Sequence, residues 1–275
     1  MADAANEAAP FVDFQDVWLA YNEELLRANH FAVEAIDLKV RRGEFIAIVG
    51  PSGCGKSTFM KLTTGLKMPS MGRIRIDGQP VTGPLKISGM AFQAPSLLPW
   101  RTTVDNVLLP LEIVEPYRSS FKAKRKEYEE RARRLLQKVG LGGYEDKFPW
   151  QLSGGMQQRA SICRALIHEP KMLLLDEPFG ALDNQTRVLM QELLLGIWES
   201  AQKTVLFVTH DIDEAIFMAN RVAVFSARPG RIKTEIAVDF PHPRHYTIKT
   251  SPEFMEIKAR LTEEIRAESM ASAEH

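Results

Sequence analysis

The chain contains 275 residues, 45% of them hydrophobic and 25% charged, which is the composition of an ordinary globular protein. Its 35 basic and 35 acidic residues cancel, so no overall field would draw it onto nucleic acid or an anionic membrane. No apolar run approaches the about 18 residues of a membrane span, and residues 1–10 lack a signal-peptide pattern. We therefore expect a chain that is neither membrane-spanning nor exported. Cys54 and Cys163 are too few for a disulfide framework and predict reduced thiols.

The first predicted elements are strands around one helix. Phe45 to Val49 is an apolar run that ends at a glycine, which is typical of a buried parallel strand. A helix is predicted from Ser57 to Leu66. Half-buried or short strands are predicted at Arg73 to Ile76 and at Gly89 to Phe92.

From Val104 to about Gly140 the pattern becomes helical and indicates a mostly α insert. The charges of Lys122 to Arg134 alternate in sign, which favours a solvated helix face over a nucleic-acid site. The apolar residues that recur there at helical spacing are Tyr128, Ala132, Leu135 and Leu136.

Two further strands are predicted to deliver polar groups to one edge of a sheet. A helix reaching His168 is stopped by Pro170, and apolar runs follow at Met172 to Leu175 and Val205 to Val208. Ligands collect beyond the carboxyl ends of strands in open α/β sheets, so we expect the residues after these runs to share a crevice. They are Asp176, Glu177 and His210, which we expect to converge with the glycine loop at Gly50 to Thr58. Asp211 is predicted to cap a helix that runs through Ala219.

A phosphate-binding loop follows the first buried strand. The pattern Gly-x-x-x-x-Gly-Lys-Ser/Thr between a strand and a helix wraps backbone N–H groups around phosphates. Lys56 is expected at the β- and γ-phosphate oxygens and Ser57 on Mg²⁺. Nothing resembles the Asn-Lys-x-Asp element expected for guanine. The predicted nucleotide-binding residues are Gly50, Pro51, Ser52, Gly53, Cys54, Gly55, Lys56, Ser57 and Thr58.

A second glycine segment, Leu152 to Arg159, gives the chain a family resemblance. Ser153 can cap a helix. Because Gly154 and Gly155 have no side chains, the N-terminal backbone amides of this helix stay accessible to a γ-phosphate. The segment resembles the Leu-Ser-Gly-Gly-Gln signature of the ATP-binding cassette (ABC) family, with Met156 in place of glutamine. We expect this change to be tolerated, because the phosphate contacts lie with the three residues before it.

The resemblance covers Phe11 to Pro241 and implies roles for residues outside both glycine segments. Asp176 looks like the carboxylate that holds Mg²⁺ and Glu177 like the general base. Gln93 falls where the family places a glutamine that reaches Mg²⁺ and the attacking water. His210 resembles the switch histidine that contacts the γ-phosphate.

Two further nucleotide contacts are implied less directly. Asp183, in Ala181-Leu182-Asp183, matches the D-loop that crosses to a partner subunit. Tyr21 is the candidate to stack on adenine, although the long segment Asn22 to Phe31 leaves another aromatic residue open for that place.

The resemblance also implies a fold and a domain organisation. The expected fold is α/β: a P-loop NTPase (RecA-like) core with an N-terminal antiparallel β-subdomain and an inserted α-helical subdomain at about 100–165. The ATPase domain is expected over 11–241, followed by a tail at 242–275 with one helix near Pro252 to Ala267. Residues 1–10 and the last nine residues are predicted to be flexible because they carry little that could pack.

ABC ATPases of this type work in pairs, so the resemblance implies a function and partners. Two ATPs with Mg²⁺ would be held between this chain and a second copy of itself, each signature closing over the other's nucleotide. The expected function is to power solute import at the cytoplasmic face of the bacterial inner membrane, with permease subunits and, indirectly, an extracytoplasmic solute-binding protein. A soluble ABC ATPase acting on nucleic acid or ribosomes is the alternative, but the tandem cassettes or long coiled coils it predicts are not visible.

An apolar, turn-rich segment after Gln93 bears on the permease. Ala94 to Trp100 is either a turn packed into the core or the wall of a groove that receives a permease helix, with Leu98 and Trp100 as anchors. Three segments most resemble the nitrate, sulfonate, taurine and pyrimidine-precursor importer ATPases. They are Leu98 to Thr102, Glu177 to Asp183 and Asp239 to Arg244.

Overall fold

The structure is a computed structural model that describes residues 9–273. The flexibility predicted for residues 1–10 therefore falls almost entirely outside the described residues. Strands within this range are β1 (Val12–Leu19), β2 (Val33–Val40), β3 (Phe45–Val49), β4 (Met71–Ile76), β5 (Gln79–Pro80), β6 (Ser88–Ala91), β7 (Met172–Asp176), β8 (Thr204–Val208), β9 (Arg221–Phe225) and β10 (Ile232–Ala237).

Eight α-helices accompany these strands between residues 9 and 273. They are α1 (Glu23–Arg27), α2 (Lys56–Thr63), α3 (Thr103–Leu108), α4 (Tyr117–Lys138), α5 (Gly154–Leu166), α6 (Asn184–Ala201), α7 (Ile212–Met218) and α8 (Pro252–Ala273). Short 3₁₀ turns occupy Leu109–Glu112, Pro149–Gln151 and Tyr246–Thr250. None of the helices described is long and apolar enough to cross a bilayer.

The described chain forms two compact units, and the first contains residues 9–85, 210–240 and 247–273. It holds an antiparallel sheet in the order β2-β1-β4-β5, and an antiparallel N-terminal sheet is what the resemblance implied. β9 pairs with β3 in parallel and with β10 in antiparallel fashion. Every residue of β3 is buried, which confirms the predicted core strand that leads into the phosphate loop.

The second unit contains residues 86–209 and 241–246. β7 pairs in parallel with β6 and with β8, and every residue of β7 and β8 is buried. The predicted helical region is present as α3, a 3₁₀ turn and α4. On α4, Tyr128, Ala132 and Leu136 are buried as the helical spacing predicted, whereas Leu135 is only half-buried.

Several predicted boundaries were wrong by a few residues. α2 ends at Thr63 rather than Leu66, because Gly65 adopts φ 71° and its position leaves no room for a side chain beside the Gly83 carbonyl oxygen. α8 extends to Ala273, six residues past its predicted end. The expectation that the last residues carry little that packs is wrong for Glu268, whose carboxylate bonds Lys233 and the amide of Ala227.

Candidate functional site

The phosphate loop is shaped by glycines and by contacts beneath it. Gly53 and Gly55 have φ values of 75° and 102°, which favour glycine. A Cβ at Gly55 would lie 2.8 Å from Val33 Cγ1 and 3.0 Å from the Ala32 carbonyl oxygen. A side chain at this position would therefore displace the loop where it enters α2.

Lys56 lies inside the curve of this loop. Its side chain is 8% exposed, and Nζ donates to the carbonyl oxygens of Gly50 and Pro51, both at 2.8 Å. The ammonium group is therefore held at the centre of the loop by backbone oxygens. Beside it, burial raises the pKa of the Cys54 thiol, and both cysteines are buried and free, as reduced thiols require.

The first turn of α2 presents unpaired backbone donors. Its N-cap is Gly55, which offers no side-chain acceptor to the first amides of the helix. Ser57 is exposed and Thr58 is buried at this turn. Such a turn binds anions through its N–H groups and the helix dipole, which suits the phosphates of a nucleotide.

Tyr21 lies close to the same turn. Its hydroxyl is 2.5 Å from Thr58 Oγ1, and its ring is 43% exposed. The ring lines a cavity of about 340 Å³ together with Phe31 and His30. The long segment between Tyr21 and Phe31 contains α1, which Asn22 caps, so Tyr21 remains beside the phosphate loop despite the inserted turn.

In the second unit the structure brings Gln93 and Glu177 together. Glu177 follows Asp176 at the end of β7, and its φ of 46° is a strained conformation for a residue with a side chain. Its amide donates to the Val208 carbonyl oxygen at 2.8 Å, and its Oε2 accepts from Gln93 Nε2 at 3.0 Å. Asp176 itself is 8% exposed. The position of Glu177 is thus fixed by two hydrogen bonds, one from its backbone amide and one from the side-chain amide of Gln93 to its carboxylate.

Two residues of α5 that sequence reasoning missed hold the loop around Gln93. Gln158 Nε2 donates to the Phe92 carbonyl oxygen at 3.1 Å. The Arg164 guanidinium donates to the carbonyl oxygens of Ser96 and Pro95 at 2.8 and 2.7 Å, and burial lowers its pKa. No sequence motif indicated these hydrogen bonds, because all three acceptors are backbone oxygens 66 to 69 residues away along the chain.

The signature segment forms the helix start that was predicted. Ser153 is the N-cap of α5, and its Oγ accepts from the Met156 amide at 3.2 Å. A Cβ at Gly154 would meet open space, whereas one at Gly155 would lie 3.2 Å from the Ala181 carbonyl oxygen. Met156 therefore contributes its backbone to the cap, and its side chain is half-buried.

Asp183 and His210 lie at helix starts. Asp183 is the N-cap of α6. Its carboxylate accepts hydrogen bonds from the backbone amide of Thr186 at 3.0 Å and from the Thr186 hydroxyl at 2.7 Å. These hydrogen bonds hold the pKa of Asp183 below its usual value. His210 is exposed and directly precedes Asp211, whose carboxylate caps α7 through the Glu214 amide. The structure confirms the predicted cap at Asp211 and adds one at Asp183.

Trp100, the last residue of the apolar segment after Gln93, lies at a groove within the second unit. Trp100 is 71% exposed and lines a cavity of about 750 Å³ with Phe121 and Phe148. This contradicts a core-packed turn at Trp100. Leu98 is half-buried, does not line the cavity and is fixed by a 2.7 Å bond from its amide to Asn106 Oδ1, so Trp100 is the better anchor.

Comparison with known proteins identifies the class. A model of the ABC transporter family matches residues 33–180. The chain belongs to this family, as an ATP-binding cassette that binds and hydrolyses ATP. It is 44% identical over 232 residues to the aliphatic sulfonates import ATP-binding protein SsuB of Bacillus cereus, covering 84% of this chain and 87% of the relative.

Other relatives agree on the family and the fold. An uncharacterized ABC transporter ATP-binding protein of Methanocaldococcus jannaschii is 43% identical over 241 residues, 88% of this chain and 86% of its own. A dimeric cassette solved in a post-hydrolysis state with ADP and Pi has a TM-score of 0.71 and 31% identity, covering 84% of this chain and all of that one. The predicted fold class and family are confirmed.

Proposed function

We propose that this cassette powers the import of a small solute by a bacterial ABC transporter, as a homodimer with two ATPs at its interface. The hydrogen bond between Gln93 and Glu177 at the end of β7 is the main structural support, because it orients a carboxylate as a base for hydrolysis. The 44% identity to SsuB supports import rather than action on nucleic acid or ribosomes.

In this proposal the chain supplies positioning and charge. A water molecule attacks the γ-phosphorus in line, the bond from that phosphorus to the bridging oxygen of ADP breaks, and Glu177 accepts the proton of the water. Lys56 leaves its loop carbonyls for the β- and γ-phosphate oxygens, and the amides of the phosphate loop bind the same oxygens. His210 contacts the γ-phosphate from the turn before α7, and Tyr21 stacks on adenine.

The residues assigned to Mg²⁺ fit that ion. Ser57 offers a hydroxyl, Asp176 a buried carboxylate and Gln93 an amide whose Oε1 stays available after Nε2 has bonded Glu177. These are hard oxygen ligands, and Mg²⁺ is usually bound by one or two such side chains together with phosphates and waters. When bound, the ion would neutralise charge on the β- and γ-phosphates.

The second copy of the chain completes each ATP site. The uncovered N-terminus of α5, with Ser153, Gly154 and Gly155, is suited to a γ-phosphate held by the other copy. Asp183 caps the first turn of α6. The D-loop residues just before it, Ala181 and Leu182, can then contact the partner. The solved dimeric cassette with ADP and Pi supports this arrangement.

The groove at Trp100 is the proposed contact with the permease, at the cytoplasmic face of the inner membrane. An exposed tryptophan beside Phe121 and Phe148 offers an aromatic anchor for a short permease helix. A solute-binding protein on the other side of the membrane would deliver the cargo to that permease.

The function is tested in proteoliposomes that contain the complete transporter and its solute-binding protein. Glu177→Gln should keep ATP binding but lower ATP hydrolysis and solute uptake by about 10² to 10⁴, the usual contribution of a general base. Glu192→Gln, at an exposed position of α6, is the matched control and should retain both activities. Hydrolysis at the wild-type rate in Glu177→Gln would contradict the base, and hydrolysis without uptake in the wild type would contradict import.

A further inference from the structure

A second cavity, unrelated to the residues assigned to ATP, lies within the second unit. Its volume is about 610 Å³, within the range of small-molecule sites. Its walls come from the last turns of α4, the end of α5, the end of α6 and the residue before β8. We call it the basic cavity; it is lined by Arg131, Arg134, Leu135, Lys138, Leu166, Glu169, Ile197, Ala201 and Lys203.

The charge of the basic cavity is strongly positive although the chain as a whole is neutral. Four of its nine lining residues are cationic and one, Glu169, is acidic. Glu169 is already engaged: its carboxylate pairs with Arg131 at 2.9 Å and accepts from the Tyr117 hydroxyl at 3.4 Å. The other three cations, Arg134, Lys138 and Lys203, form no salt bridge with a residue of the lining.

The three remaining cations have spare hydrogen-bond donors. Neither Arg134 nor Lys138 forms an ion pair with any residue of the described chain, in contrast with Arg133, which bonds Glu129 and Asp146. Lys203 is half-buried, and its Nζ donates to the Pro170 carbonyl oxygen at 2.9 Å. Burial lowers the pKa of Lys203, which indicates a charge that is poorly hydrated.

The positive potential extends beyond the lining. Burial is the main reason that the pKa of the neighbouring His168 is lowered, and the charges of Lys203 and Arg131 lower it further. The charges of Lys203 and Arg131 thus act on His168, while at Lys203 the charge of Glu169 opposes part of the lowering of the pKa by burial. Arg134 and Lys138 are exposed and Lys203 is half-buried, so an anion in the basic cavity would meet two hydrated charges and one that is partly shielded from water.

The floor of the basic cavity is apolar. Leu166 is buried at 7% exposure, and Leu135 and Ile197 are half-buried around it. This explains why Leu135 departs from the buried pattern of α4. A simple phosphate or sulfate would leave this floor in contact with water, whereas an apolar group attached to the anion would cover it.

We propose that the basic cavity binds a soluble organic anion, a phosphate or sulfonate that carries an apolar body of several carbons. The anionic group bonds Arg134, Lys138 and Lys203, and the apolar body lies on Leu135, Leu166 and Ile197. None of the residues assigned to ATP or Mg²⁺ lines this cavity. The site is thus an additional ligand site, at the opposite end of α5 from Ser153.

The probe for the test is 8-anilinonaphthalene-1-sulfonate, titrated by fluorescence into the full-length protein with saturating ADP and Mg²⁺. The nucleotide keeps the dye out of the phosphate loop. We expect one dye molecule to bind per protein chain. Octyl phosphate should displace the dye at concentrations at which inorganic phosphate and octanol displace little, because only octyl phosphate carries both the charge and an alkyl group.

Two variants and one matched control locate the dye. Arg134→Glu with Lys138→Glu should weaken binding at least about tenfold, since charged hydrogen bonds are lost and repulsion replaces attraction. Ala201→Trp fills part of the cavity and should weaken it similarly. Lys126→Glu reverses one charge, half of the charge change in the double variant, at an exposed position of α4 outside the cavity, and it should bind as the wild type does. Circular dichroism checks that each variant is folded.

Equal dye binding by the wild type and the double variant would overturn the site. The assignment to a soluble ligand would be overturned by two results together. The wild type, but not the double variant, would bind phosphatidylglycerol vesicles, and octyl phosphate would fail to displace the dye. The proposal is supported if octyl phosphate displaces the dye from the wild type and from Lys126→Glu, and the double variant binds the dye at least about tenfold more weakly.

Discussion

At the scale of single residues, the phosphate loop depends on a glycine outside its motif. Gly230, between β9 and β10, packs against the loop so closely that a Cβ would lie 2.0 Å from the Cys54 carbonyl oxygen. Its amide also donates to the Ala32 carbonyl oxygen at 3.1 Å. The loop is therefore supported by a backbone contact that leaves no room for a side chain.

Gly230→Ala should shift the phosphate loop and lower ATPase activity. Displacing catalytic groups by about 1 Å can cost about 10²-fold, so we expect a loss of about 10- to 10²-fold. The measurement is steady-state ATP hydrolysis together with ATP affinity. Gly83→Ala is the control, because a Cβ there meets nothing within 4 Å; equal activity of the two variants would contradict the packing argument.

His168 makes the stability of the protein depend on pH. It is buried, with its Nε2 3.2 Å from the Ser88 carbonyl oxygen, and burial lowers its pKa. The unfolded chain binds a proton below about pH 6.5, whereas the folded protein resists protonation, so the free energy of unfolding should fall as the pH falls from 7 through 6.5 towards the folded pKa.

His168→Gln should reduce this dependence. Urea denaturation of the wild type at pH 7, 6 and 5 should show the loss of stability, and the variant should show a smaller loss over the same interval. His30→Gln, at an exposed position, serves as control and should keep the wild-type slope. An identical slope in His168→Gln would show that another group is responsible.

At the scale of elements, α8 is an integral part of the first unit. Leu261 is fully buried, and Phe254 is 1% exposed and stacks on Phe240 with ring centroids 6.1 Å apart. At its far end Lys233 pairs with Glu268 at 2.9 Å. The apolar contacts hold the predicted part of the helix, and the ion pair of Glu268 lies just beyond the predicted end at Ala267, where the helix continues.

Leu261→Ala should destabilise the protein by about 2–5 kcal/mol, because it removes a buried side chain and leaves a cavity. Met255→Ala on the same helix should change stability by about 0.5 kcal/mol or less, since Met255 is 50% exposed. Chemical denaturation of the two variants measures the difference. Similar stabilities would mean that α8 is dispensable to the first unit.

At the scale of the whole molecule, the proposed function requires two chains. Each copy holds a phosphate loop and a signature helix start, and the second is proposed to serve the partner's ATP. Pairing should therefore depend on ATP and on the open space before Gly154.

Ser153→Arg should abolish ATP-dependent dimerisation while ATP binding by each chain is retained, because a long cationic side chain would occupy the place of the γ-phosphate. Ser153→Ala removes the cap without adding bulk; it should cost about 1 kcal/mol of helix stability and still dimerise. Sedimentation in the presence of ATP, in the Glu177→Gln background, measures pairing. A dimer of Ser153→Arg would contradict the assignment of the signature.

The sequence was sufficient wherever a short, local pattern carries the chemistry. The phosphate loop, the strand Phe45–Val49 and the caps at Ser153 and Asp211 were all predicted, because each depends on residues within a few positions of one another. The roles of the individual site residues in nucleotide binding, Mg²⁺ binding and hydrolysis stay predictions, those of Asp183 and Tyr21 included.

By itself, then, the sequence determined the family, the ATP chemistry and the positions of the core strands that precede the site residues. Only the tertiary structure decided that Gln158 and Arg164 hold the loop of Gln93, that Gly230 supports Cys54 and that a basic cavity forms beside Lys203. The physical reason is that these contacts join backbone atoms or charges distant along the chain. Their partners are set by packing, and no local pattern of side chains records them.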